Sequence, residues 1–270
     1  MAIIRNTTVA PKLVRLQMLI NKLFTKPEIP HNTPENTRIY AIGDIHGNLE
    51  PLLSLHEIIL KEEKNFNPEA RKVLVYLGDY VDRRLESKQV IEHLITSPLP
   101  GFERIFLKGN HEHAMLEFIE GPERSEQWFL WGGEATIQSY GVKLDVNMLN
   151  QADLEKIAKE LESCIPEHHK KFFSELKMMH EEGDYVFVHA GFRPGIPLDQ
   201  QSGADMLMIR DEFIYSRKDF GKTIVFGHTI FDKPFIGNGR IGIDTGSFAT
   251  GKLTAVMLQG KVMKFLSTRE

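Results

Sequence analysis

Cysteine is almost absent from this chain of 270 residues, occurring once, at Cys164. One thiol cannot form an internal disulfide, which points to a reducing compartment and a cytoplasmic setting. No histidine or base motif surrounds it, so it reads as a buried or neutral thiol. Long hydrophobic runs are missing too: none approaches the roughly 20 residues that span a bilayer. The basic N-terminus is interrupted by Arg15, Gln17 and Asn21, which excludes a secretory core there. Charge of one sign is also lacking, with 33 Lys and Arg against 37 Asp and Glu and a net charge of -4. Nucleic acid is therefore not an expected partner. Internal repeats and low-complexity tracts do not occur.

What is present begins with an N-terminal segment, residues 1–36. Leu13, Leu16, Ile20, Leu23 and Phe24 share one helical face, predicting an amphipathic helix that docks on its own domain or on a partner. "PEIPHNTPEN" (27–36) then reads as a linker. From residue 37 to 270 one domain is predicted. Five short β-prone runs stand out: RIYAI (38–42), VLVYL (73–77), RIFL (104–107), YVFVH (185–189) and TIVFG (223–227). Amphipathic segments separate the first three, as expected of parallel βαβ units. Residues 112 to about 180 read as a helical insertion. IGID (241–244), LTAVML (253–258) and KVMKFL (261–266) read as an antiparallel meander. The fold class is α/β, with a mixed sheet or two packed sheets and helices outside.

Each of the five runs ends in a polar cluster: "GDIHG" (43–47), "GDYVDRR" (78–84), "GNHE" (109–112), "HAG" (189–191) and "GHT" (227–229). Ligands bind beyond the carboxyl ends of strands in open α/β sheets. The five ends therefore gather Asp44, His46, Asp79, Asn110, His189 and His228. Two carboxylates, an amide and three imidazoles exceed what one ion needs and suit two divalent ions sharing a carboxylate. The mixed oxygen and nitrogen set fits manganese first, with iron or zinc also acceptable.

In this order the motifs GD-x-HG, GD-x-VDR, GNHE, HAG and GHT resemble those of the phosphoprotein phosphatase family within the metallophosphoesterases, over residues 38 to about 260. The resemblance implies an αββα fold, a central sandwich of mixed sheets flanked by helices. It implies that Asp44, His46 and Asp79 hold one ion, and Asp79, Asn110, His189 and His228 the other. His111 would be the general acid, oriented by Asp82. Arg83 and Arg210 would grip the substrate phosphate, with Asn110 beside them, and a water shared by the ions would attack phosphorus directly. The implied reaction is Ser/Thr phosphatase-type hydrolysis of a phosphorylated protein or peptide. A symmetrical bis(5'-nucleosyl)-tetraphosphatase acting on a dinucleotide is the alternative. Ile230 stands where nucleases and phosphodiesterases of the superfamily carry a second histidine, which argues against them, and the intact ligand set argues against a non-catalytic scaffold. The pattern departs at Arg84, where the family usually has glycine. A positive φ would strain an arginine there, so a relaxed loop with a solvated side chain is expected. "GNGRIG" (237–242) leads into a strand instead of a helix and fails as a dinucleotide motif. The pair His168–His169 lies on a charged helix and is not read as a metal site. Trp128, Phe129 and Trp131 read as core.

Overall fold

A computed structural model describes residues 32–144 and 150–269. The expected N-terminal helix lies outside the described residues. The first sheet is built from β1 (Thr37–Ile42), β2 (Arg71–Tyr76), β3 (Phe102–Phe106), β9 (Thr254–Gln259) and β10 (Val262–Ser267), in the order β10-β9-β1-β2-β3. The second contains β4 (Met179–Glu182), β5 (Tyr185–Val188), β6 (Thr223–Phe226), β7 (Phe235–Gly237) and β8 (Arg240–Gly242), ordered β4-β5-β6-β8-β7.

Strand alternation builds the layers. Ile39, Ala41, Val73 and Val75 point inward and pack with Phe187, Val225 and Ile241 of the other sheet. Their neighbours Tyr40, Ile42, Leu74 and Tyr76 point outward. Helices α1 (Leu49–Glu63) and α2 (Ser87–Thr96) cover them with Leu52, Leu55, Ile59, Val90 and Ile91. On the far side, Val186, Val188, Ile224 and Phe226 meet Phe213 and Ile209. Central strands buried on both faces must be apolar throughout, which is why they stand out in the sequence. The result is the helix–sheet–sheet–helix sandwich.

Between β3 and β4 run α3 (Asn110–Glu120), α4 (Ser125–Leu130), α5 (Glu134–Ser139), α6 (Gln151–Cys164) and α7 (Glu167–Ser174). The helical pattern thus stops at Ser174, short of residue 180. The segment Met179–Glu182 is an edge strand, antiparallel to β5, and an edge position tolerates its polar "MHEE" sequence. The meander expected after residue 223 is also corrected. β8 pairs parallel with β6 in the second sheet, whereas β9 crosses to pair antiparallel with β1 in the first. Of the three runs expected to form the meander, only β9 and β10 pair with each other, while β8 forms a hairpin with β7. Cys164 is exposed instead of buried.

Candidate metal centre

The strand ends converge as the sequence suggests, from both sheets. Tight loops deliver the side chains. His46, Asp79, Asp82, Arg83 and His228 all have positive φ, between 53° and 73°. Non-glycine residues pay roughly 1–3 kcal/mol each for such conformations, and they persist only where surroundings over-determine them. At the Asp79 loop the buried carboxylate of Glu112 does so. It accepts from the backbone N–H groups of Asp79 (3.0 Å), Tyr80 (2.7 Å), Val81 (3.2 Å) and Gly109 (2.9 Å). Two glycines leave room for the acids. A Cβ on Gly109 would sit 2.1 Å from Asp79 Oδ1, and one on Gly227 would sit 2.2 Å from Asp44 Oδ1.

Asp79, 2% exposed, is the hub. Its Oδ2 lies 3.6 Å from His46 Nε2, 3.5 Å from His189 Nε2 and 3.8 Å from His111 Nε2. These separations are too long for good hydrogen bonds. Those to His46 and His189 suit atoms that share an ion at about 2.1 Å from each. Backbone carbonyls fix the tautomers: Nδ1 of His46 donates to Val81 O at 3.0 Å, and Nδ1 of His189 to Leu77 O at 2.8 Å. Each bare Nε2 lone pair is thus aimed inward, the usual arrangement behind a metal-binding histidine. Nε2 of His189 faces Asn110 Oδ1 at 2.8 Å, and His228 Nδ1 lies 2.9 Å from the same oxygen. A lone pair against an oxygen is an arrangement that a cation completes.

The electrostatics agree. Burial pushes the pKa values of His46, His189 and His228 down, favouring the neutral, ligating imidazole. Burial, then the charges of Asp244 and Asp79, push Asp44 well above the carboxylate range. Burial likewise raises Asp244 to about 6. Carboxylates crowded out of water in this way call for positive charge between them. The donor set therefore fits divalent ions. Two groups of ligand atoms each lie within 4.8 Å: His46, Asp79 and His111, and Asp79, His189 and His228. Asp44 belongs to neither; its oxygens accept from the His228 N–H at 3.2 and 3.0 Å.

His111 differs from the other imidazoles. Its Nδ1 lies 2.7 Å from Asp82 Oδ2, while Nε2 faces the cleft. Burial opposes its charge, but the carboxylates of Asp79 and Asp82 outweigh this and raise its pKa above the ordinary histidine value. Asp82 is fully buried and also accepts from Trp128 Nε1 (2.8 Å) and Thr136 Oγ1 (2.6 Å). The Arg83 guanidinium stacks 4.0 Å over Phe248, with Nη2 3.5 Å from His111 Nε2 and its buried Nε unpartnered. Arg210, exposed, donates to His228 O at 3.1 Å.

His46, Asp79, Asn110, His228 and Asp244 line a cleft of about 400 Å³ together with His111, Arg83 and Arg210, and Trp131, Met208 and Ile230 complete its wall. A larger cleft of about 550 Å³, near Leu94, Phe106 and Phe172, has no buried carboxylate in its lining. Arg84 takes no positive φ; the strain falls on Asp82 and Arg83 instead. Its exposed side chain is not merely solvated, because Nε donates to Phe248 O at 2.7 Å. The sequence reading missed Asp244, Phe248, Trp128, Thr136 and the clamp made by Glu112. Asp244 was the findable one, since "IGIDTGS" is a sixth strand run ending in an acid. Trp131 lines the cleft instead of the core, whereas Trp128 is core and a hydrogen-bond donor.

The calcineurin-like phosphoesterase family model matches residues 37–232, and the chain belongs to that family. It is therefore a metal-dependent phosphohydrolase. Among its curated relatives is the asymmetrical bis(5'-nucleosyl)-tetraphosphatase PrpE of Anoxybacillus flavithermus, 26% identical and aligned over 80% of this chain and 88% of the relative. Another is the serine/threonine-protein phosphatase 2 of Salmonella typhimurium, 27% identical over 80% and 90%. A solved structure of a putative diadenosine tetraphosphatase has the same fold, with a TM-score of 0.57, 20% identity and coverage of 88% and 98%. A cold-active protein tyrosine phosphatase follows at 0.51 and 17%, with coverage of 88% and 82%. No helix among the described residues is long and apolar enough to cross a membrane.

Proposed function

We propose that the chain hydrolyses phosphate monoesters of the phosphoserine or phosphothreonine kind, in the cytoplasm, using two divalent ions, manganese first among them. Asp44, His46 and Asp79 would hold one ion, and Asp79, Asn110, His189 and His228 the other. The ions, when bound, supply charge neutralisation and an acidified water. The chain's own residues supply the rest. Arg83 and Arg210 both line the cleft and can bind phosphate oxygens through their forked N–H groups. His111 Nε2 gives its proton to the leaving oxygen as the bond from phosphorus to that oxygen breaks, and Asp82 holds the ring at Nδ1 throughout. The Trp131 ring, 5.4 Å from that of His111, walls this proton from bulk water. The observation that carries the reading is the pairing of a charge-raised His111 with a hub of imidazoles that cannot satisfy one another.

A second reading, a bis(5'-nucleosyl)-tetraphosphatase, is favoured by the names of several relatives. Those names specify asymmetrical cleavage, whereas the sequence suggested the symmetrical kind. The test is manganese-loaded protein assayed on a phosphothreonine peptide beside diadenosine tetraphosphate. A large advantage in kcat/KM for the peptide is expected. The reverse preference would overturn the protein-phosphatase reading, and the products would then type the cut: ATP and AMP if asymmetrical, two ADP if symmetrical.

A further inference from the structure

We propose that Glu92, His168 and His169 form a separate binding site for one zinc-class divalent cation, where α2 meets α7. His168 Nε2 and His169 Nε2 lie 2.8 and 2.9 Å from the same oxygen, Glu92 Oε2. The three ligand atoms fall within 4.8 Å of one another. Consecutive residues on a helix point about 100° apart, yet here the two rings meet edge to face with centroids 4.6 Å apart. None of the three residues lines the catalytic cleft.

Two imidazoles and a carboxylate with an open fourth position make a ligand set suited to zinc. The donor spacing is slightly tighter than the roughly 3.0–3.4 Å expected between atoms sharing a zinc at about 2.1 Å. Glu92, 47% exposed, can withdraw by that amount. His169 cannot move: it is fully buried, and its Nδ1 lies 2.9 Å from Tyr140 Oη. That hydroxyl is the outer partner a ligating histidine needs. Without metal, each imidazole keeps its proton on Nε2 and donates to Glu92. With metal, each shifts that proton to Nδ1, and Tyr140 reverses from donor to acceptor. Burial lowers the His169 pKa, which keeps the ring neutral for either role. Half-exposed His168 and Glu92 leave a path for the ion.

The consequence is a removable clamp. α7 carries Phe172 against Tyr80 at 5.5 Å and Phe106 at 5.0 Å, so an ion here would tie the helical insertion to the layer behind the catalytic loop. The test is zinc content at micromolar free zinc, by mass spectrometry, for wild type, His168→Asn and Glu92→Gln. Each variant should bind one equivalent less than wild type, keep its phosphatase turnover, and lose a zinc-dependent rise in Tm that wild type shows. Only the difference counts, so the result does not depend on how many ions the catalytic centre takes. Equal zinc in all three proteins would overturn the proposal. So would zinc loss that appears only together with loss of turnover, because it would trace to the catalytic centre.

Discussion

Two clusters of histidines and carboxylates can be compared within this one chain. Around Asp79 the imidazole nitrogens stand 3.5–3.8 Å from the carboxylate oxygen; around Glu92 they stand at 2.8–2.9 Å. The first set sits at strand ends, with the His46 and His189 tautomers fixed by backbone carbonyls and His111 held by Asp82. The second sits on helix faces, with His169 buried and Glu92 and His168 half exposed. The Glu92 cluster is satisfied by its own hydrogen bonds and has a comfortable metal-free state. The cluster around Asp79 has none, because its lone pairs and carboxylates face one another in a buried place. Preorganisation of that kind is costly to fold and valuable to catalysis. It follows that metal should be held more tightly at the strand ends and compete with protons at the helix faces.

The contrast can be broken or sharpened by substitution. The largest effect is expected at the hub: Asp79→Asn should lower kcat by about a thousandfold or more, measured as phosphate release under saturating manganese. Loss of less than tenfold would mean that the shared carboxylate is not central. Next, His111→Asn should cost about 10²–10⁴-fold and leave bound metal unchanged. The loss should be greatest on alkyl phosphates, whose leaving oxygen needs the proton, and smaller on p-nitrophenyl phosphate. Equal losses on both would remove the general-acid role.

A subtler effect is expected at Asp82. A general acid works while protonated, so activity falls as pH rises through the His111 pKa. Because the neighbouring carboxylates raise that pKa, the fall is displaced to higher pH than for an ordinary histidine. Asp82→Asn removes part of the raising charge, and the alkaline limb of the kcat/KM profile should move to lower pH. An unmoved limb would assign it to another group. The smallest effect belongs to Arg84→Gly, which restores the family residue. Since position 84 has no positive φ and its side chain only reaches Phe248 O, turnover should change less than about twofold, the range of surface substitutions away from special features.

The sequence made the metal centre more legible than the fold around it. Parallel strands buried on both faces appear as apolar runs, and each run ends in a candidate ligand, so Asp44, His46, Asp79, Asn110, His189 and His228 could be picked out locally. β4 and β7 were not legible, because edge strands bury little and carry no such pattern. The crossing of β9 into the first sheet was hidden for another reason: it depends on pairing partners more than two hundred residues apart, as in Ile39 with Leu258. The support for Asp82 was equally hidden. Trp128 and Thr136 reach it from separate helices of the insertion, and no spacing rule connects them. The arrangement at His168–His169 was hidden in the same way, since only a distant helix brings Glu92 to the pair.

The most direct test of the hub around Asp79 is metal removal followed by reloading. Purified wild type and Asp79→Asn would be stripped with chelator, reloaded with manganese, and assayed for phosphate release, with bound metal counted in parallel. Activity should vanish on stripping and return with two bound ions at the catalytic centre of wild type, while Asp79→Asn stays inactive. Full activity in stripped wild type, or equal recovery by both proteins, would contradict the assignment.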